Sequence, residues 1–182
     1  MKKHILILGF PGSGKSTLSS VIKSGDFSLY NDNLIFERGN YRVFFTVDQK
    51  MIDWNSDYNA IVEYELHHQY TNFGFTQLDT ILNHDNEIII IFLKCRKWHL
   101  TIRAIFRIIK SIFTKEPAKG KNKKIILYNL NILLFYLIPF RANKLYEKYK
   151  KYLADYSPIE IDTSGITFNY KPLTCYTPTQ YQ

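Results

Sequence analysis

The chain of 182 residues has the length of one domain, and 46% hydrophobic with 22% charged residues is the balance of a soluble globular protein that can bury a core on both faces of a sheet. Two cysteines, Cys95 and Cys175, exclude a disulfide framework and a cysteine metal cluster, which fits a reducing, cytoplasmic setting. The formal charge of +8 suits a partner rich in phosphate: a phosphorylated ligand, a nucleic acid or an anionic membrane surface.

Met1-Lys2-Lys3 precedes an apolar run too short for a secretory signal. That run, Ile5-Leu6-Ile7-Leu8, predicts a strand buried on both faces of a parallel sheet. Gly9-Phe10-Pro11-Gly12-Ser13-Gly14-Lys15-Ser16-Thr17 follows and matches the P-loop pattern in full. Its glycines let backbone N–H groups turn inward around phosphates, and the next helix points its positive N-terminal end at the same anion. Lys15 is placed to bridge the β- and γ-phosphates of ATP or GTP, and Ser16 to give its hydroxyl to Mg²⁺. The pattern sits where this mechanism needs it, after a buried strand and before a helix over Lys15–Lys23 that stops near Gly25.

A second strand is expected near Phe27–Tyr30, with Asp32 just beyond it at the carboxyl ends of the strands, where it could hold or deprotonate an acceptor hydroxyl. Asn31–Tyr58 is polar and poorly periodic and yields no assignment. Asn59–Leu66 reads as the third strand and carries Glu63, the best-placed carboxylate for Mg²⁺; Glu65 is one alternation further along. His67 and His68 lack metal-ligand spacing and read as structural or solvent-facing. Glu87–Leu93, built around four isoleucines, is the fourth strand, and Ile159–Ile161 the fifth. Helical patterns between them imply a parallel βαβ sheet.

Trp98–Phe113 predicts a helix with two stripes. Trp98, Ile102, Ile105, Ile109 and Ile112 form an apolar stripe suited to burial, and His99, Arg103, Arg107 and Lys110 a basic stripe that can reach solvent or a ligand. Arg103 and Arg107 are spaced to point the same way at a migrating phosphoryl group. Thr114–Lys124, with Pro117, Gly120 and five lysines, reads as a mobile basic lid. Ile125–Ile138 and Arg141–Leu153 predict two further helices, broken at Pro139. Ile125–Phe140 contains Asn129 and Asn131 and falls short of the roughly 20 apolar residues of a membrane span, so a buried helix is expected. The reading is one kinase-like domain over residues 1–165 and a Tyr-, Thr- and Pro-rich tail over 166–182.

The run from Ile5 to Thr17 resembles the opening of adenylate kinases, and more closely that of the adenylate-kinase-like P-loop proteins often labelled "DNA topology modulation protein". Their Leu-Asp motif after the second strand is similar to Tyr30-Asn31-Asp32-Asn33-Leu34-Ile35-Phe36. Their strand followed by a basic residue, Trp and two spaced arginines is similar to Phe92–Trp98 with Arg103 and Arg107. Arg96 stands where that family tends to have Pro, and Glu63-Tyr64 where it has Asp-Gly. The Asp-Gly-Phe-Pro-Arg motif of true adenylate kinases is absent, so AMP is not the expected acceptor. The resemblance implies a nucleoside-monophosphate-kinase type sheet of order 2-3-1-4-5. It also implies that Asp162-Thr163-Ser164-Gly165 borders the base. The expected activity is Mg²⁺-dependent phosphoryl transfer to an unidentified acceptor. The alternatives are a nucleotide hydrolase, or a nucleotide-dependent nucleic-acid-binding or regulatory protein. A GTPase switch lacks its Asn-Lys-x-Asp motif here, and a transport ATPase its Leu-Ser-Gly-Gly signature.

Overall fold

Runs of β-branched and aliphatic residues that never alternate with polar ones can be satisfied only by burial on both faces, and such runs form the centre of this molecule. The computed structural model describes residues 3–24, 27–29, 34–36, 40–45, 52–54, 56–66, 71–83, 87–113, 119–138 and 140–164. Five parallel strands make one sheet: β1 (Lys3–Gly9), β4 (Tyr41–Phe45), β5 (Asn59–Glu65), β6 (Glu87–Lys94) and β7 (Ile159–Asp162), in the spatial order β4-β5-β1-β6-β7. Counted by their order in the chain, these strands run 2-3-1-4-5, the sheet of P-loop NTPases of the nucleoside-monophosphate-kinase type. β1 lies at the centre, with Ile7 opposite Glu63 of β5 and Ile91 of β6.

The alternation of β1 divides the core in two. Ile5 and Ile7 pack with Ile61, Ile91 and Leu93 beneath Leu18 and Ile22 of α1 (Lys15–Ser24). Leu6 and Leu8 face the other way, into a larger cluster with Tyr64 and Phe92. That side is covered by α2 (Thr71–Leu82), α3 (Lys97–Phe113), α4 (Lys119–Leu137) and α5 (Arg141–Tyr152). Aromatic rings fill it: Phe92 stacks on Tyr146 at 4.6 Å, and Phe75 lies 4.8 Å from Tyr149. His4, buried at the start of β1, accepts the Ala60 N–H through Nδ1 at 2.9 Å and ties β1 to β5.

The structure corrects three expectations. Phe27–Tyr30 does not supply the second strand of the parallel sheet. β2 (Phe27–Leu29) instead pairs antiparallel with β3 (Leu34–Phe36) in a separate two-stranded sheet. The edge position is taken by β4, from the stretch without an assignment, whose Tyr41 reaches the α1 side of the core. Secondly, α4 begins at Lys119, so the helix takes up residues 119–124 of the expected lid; residues 114–118 lie outside the described residues. Thirdly, the apolar stripe of α3 is not the buried one. Leu100 and Ala104 are buried, and Trp98, Ile102, Ile105, Ile109 and Ile112 are exposed. The helix has two apolar arcs, and the one ending in the small side chain of Ala104 permits close packing while bringing Arg103 to the P-loop.

Two substitutions on this one helix check its orientation. Leu100→Ala should cost about 2–5 kcal/mol in urea unfolding, and Ile109→Ala should stay within about 0.5 kcal/mol of the wild type. The reverse order would mean that the helix is turned the other way.

Candidate functional site

The loop between β1 and α1 has the backbone conformation that its glycines permit. Gly12 and Gly14 hold φ at 87° and 98°, a region that side chains with a Cβ rarely enter. Gly9 is required for space: a Cβ there would lie 2.3 Å from Ser13 Oγ. Ser13 is fully buried within the loop, and its hydroxyl has no hydrogen-bond partner among the described residues. Leu18 N–H donates to the Gly14 carbonyl at 3.0 Å, closing the first turn of α1.

Lys15 is buried, and Nζ donates to the carbonyls of Gly9 (2.9 Å) and Phe10 (3.1 Å). Burial pulls its pKa down from 10.5 to about 8, the neighbouring carboxylates of Glu65 and Glu63 raise it in part, and the Arg107 charge lowers it further. Glu63 is buried on β5 and takes two hydrogen bonds from α1: Ser16 Oγ at 2.6 Å and Ser19 Oγ at 2.5 Å. A serine hydroxyl beside a carboxylate is a donor set for a hard divalent cation such as Mg²⁺. The inward-turned loop and the N-terminus of α1 suit an anion. The residues present therefore fit a metal–phosphate ligand.

Two long-range hydrogen bonds hold the loop from the α3–α4 side. The Tyr136 hydroxyl, fully buried on α4, donates to the Pro11 carbonyl at 2.6 Å, and Phe10 packs against Phe135 and Tyr136. Arg103 Nη1 donates to the Gly12 carbonyl at 2.8 Å, and Nη2 to the Thr163 carbonyl at 2.8 Å. One guanidinium thus joins the loop to the residue that follows β7. Arg107, one turn on and exposed, brings its guanidinium carbon to 3.9 Å from the place where a Gly12 Cβ would stand. Across the crevice the Tyr128 hydroxyl donates to Glu65 Oε1 at 2.6 Å. Burial and the Glu65 carboxylate push the Tyr128 hydroxyl well above the usual tyrosine range.

The expected residues divide accordingly. Gly9, Pro11, Gly12, Ser13, Gly14, Lys15, Ser16 and Thr17 form one loop and first helical turn, and Glu63 meets Ser16 there. Arg103 and Arg107 both face the loop, but Arg103 is engaged by two carbonyls while Arg107 stands at the rim. Thr163 is buried, donating its N–H to the Lys94 carbonyl at 2.7 Å; Gly165 lies outside the described residues. Asp32, His67 and His68 also lie outside them. The expected placement of Asp32 rests on a parallel second strand at Phe27–Tyr30, whereas Phe27–Leu29 pairs antiparallel with β3. Tyr128 and Tyr136 were not foreseen. Both lie more than 100 residues from the loop, and their only signal is a tyrosine within an aliphatic run; the helix that carries them is not buried all round as expected, since Leu127, Leu130, Leu134 and Leu137 are exposed.

No protein-family model and no curated protein sequence matches the chain.

The lowered pKa of Lys15 has a stability consequence of definite sign. Unfolded, its amine holds a proton up to about pH 10.5; folded, only to about pH 8. Between these values the unfolded chain binds more protons, so raising the pH stabilises the fold through this group. Relative to Lys15→Met, the wild type should gain up to about 3 kcal/mol in urea unfolding between pH 8 and pH 10.5. A pH-independent difference between the two proteins would mean that Lys15 titrates as an exposed lysine does.

Proposed function

We propose that the protein binds ATP or GTP with Mg²⁺ through the loop at Gly9–Thr17 and transfers the terminal phosphoryl group to a small-molecule or nucleotide acceptor. The observation that carries this reading is the 2.6 Å hydrogen bond between Ser16 and Glu63 beside a buried Lys15, under an inward-turned glycine loop. The resemblance to adenylate-kinase-like proteins supports the same class of reaction.

Each residue has a part. The loop amides and the α1 N-terminus bind the phosphates, and Lys15 exchanges its carbonyl partners for phosphate oxygens. Ser16 and Glu63 would hold Mg²⁺, which when bound would supply charge neutralisation to the phosphates. Arg107, at the rim, stabilises the charge of the group in flight. Arg103, whose guanidinium is already engaged, positions the loop and the residue after β7. The acceptor oxygen bonds to the γ-phosphorus as the bond to the β–γ bridging oxygen breaks. A carboxylate takes the acceptor proton: Asp32 in the sequence reading, or Glu65, which lies across the crevice in a hydrogen bond with Tyr128.

The test is nucleotide consumption measured against nucleosides, nucleotides, sugars and polynucleotide ends. Turnover that requires one acceptor supports the kinase reading. Acceptor-independent turnover makes the protein a hydrolase, and binding of ATP and nucleic acid without turnover a nucleotide-dependent binding protein. Lys15→Ala should lose nucleotide binding. Arg107→Ala should lower kcat by roughly 10²-fold or more with little change in ATP affinity, because its charge matters most in the transition state. Arg103→Ala should weaken ATP binding as well, since the loop loses a strut. Wild-type kcat in Arg107→Ala would reduce this arginine to a solvated cation.

A further inference from the structure

The outward faces of α3 and α4 are apolar. On α3, Trp98, Ile102, Ile105, Phe106, Ile109 and Phe113 recur at three- and four-residue spacing opposite the buried Leu100 and Ala104, and all are exposed, Phe106 at 66% and Phe113 at 79%. On α4, Leu127, Leu130, Leu134 and Leu137 form a second exposed stripe, opposite the buried Ile132 and Tyr136. The two helices pack against each other, and Lys97 Nζ at the start of α3 donates to the Ile138 carbonyl just past the end of α4, so they run antiparallel. A water-facing surface does not ordinarily gather so many large apolar side chains, and patches beyond a few hundred Å² mark interaction sites.

Charge is concentrated in the same part of the chain. Residues 94–144 hold 13 of the 24 lysines and arginines and one of the 16 acidic residues, so this segment carries +12 and the rest of the chain −4. No aspartate or glutamate occurs in α3 or α4. Lys119, Lys121, Lys123 and Lys124 fall in the first two turns of α4.

We propose that the α3–α4 pair is a docking face for an anionic membrane surface, on which the helices lie in the interfacial plane. Exposed Phe, Leu, Ile and Trp side chains enter the boundary between headgroups and acyl chains, and the net positive charge of the segment draws it to anionic headgroups. For interfacial helices the strength of binding grows with buried apolar area and with attraction to anionic lipids, and this segment offers both. No helix among the described residues is long and apolar enough to cross a membrane, which agrees with lying on the surface. A second copy of the chain fits less well, because an isologous contact would bring two +12 segments together. A nucleic acid would match the charge but offers a polar surface to these side chains.

The test is flotation of the full chain with vesicles of phosphatidylcholine containing about one third phosphatidylserine, against vesicles of phosphatidylcholine alone. The wild type should float with the anionic vesicles, less with the neutral ones, and less as salt rises. Phe106→Ser with Phe113→Ser should reduce partitioning by about tenfold or more, with unchanged circular dichroism because both positions are exposed. Leu130→Ser with Leu134→Ser on α4 should give an independent loss. Failure of the wild type to float at low salt overturns the proposal, as does wild-type partitioning of both double variants. So does a concentration-dependent dimer, or DNA binding, that appears in place of flotation.

Discussion

Lys15 carries an ammonium group into the interior at the end of a strand flanked by apolar side chains, and the surrounding structure compensates it. Burial of an unpaired charge costs several kcal/mol, so the group must be hydrogen-bonded and charge-balanced. The carbonyls of Gly9 and Phe10 turn inward to accept its protons, and β5 supplies Glu63 and Glu65 nearby. Glu63 is buried in turn, and it is satisfied by two serines of α1, so the strand, the loop and the helix are locked by one set of polar contacts. The compensation stays incomplete, as the pKa of about 8 records. A phosphate group would complete it, and that is the physical link between the shape of this loop and a nucleotide ligand.

The opposite side of the loop is fixed from a distance. Tyr136 and Arg103 each reach a loop carbonyl from helices of the larger core, and Arg103 also reaches Thr163 past the last strand. The conformation of the glycine-loop backbone therefore depends on both layers of helices. Arg107 stands one turn from Arg103 on the same face. An anchored guanidinium and an exposed one thus sit side by side in one helix, and the anchor sets the distance of the other from the loop.

The central strands and the glycine loop were legible because their physics is local. Continuous apolar runs such as Ile5–Leu8 and Ile88–Ile91 have no other stable place than the middle of a sheet, and the glycine spacing of the loop follows from backbone geometry alone. β4 was hidden because an edge strand needs less burial: Arg42 and Phe45 point to solvent, and the run is brief. Phe27–Leu29 was legible as a strand but not as a hairpin, since pairing depends on what lies beside it. The helix α3 shows the limit of periodicity. The spacing of Trp98, Ile102, Ile105 and Ile109 identifies one stripe, but a stripe does not say which way it faces. Ala104, a small side chain in a modest second arc, decided that the arginines turn toward the loop and the larger apolar residues turn outward.

Calorimetric titration of the wild type and of Lys15→Ala with Mg-ATP and Mg-GTP tests the central claim most directly. The wild type should bind at least one nucleotide saturably, with a Kd at or below about 1 mM, and the variant should lose that binding without loss of fold. Folded wild-type protein that takes up neither nucleotide at that concentration, or a Lys15→Ala variant that binds as well as the wild type, would contradict it.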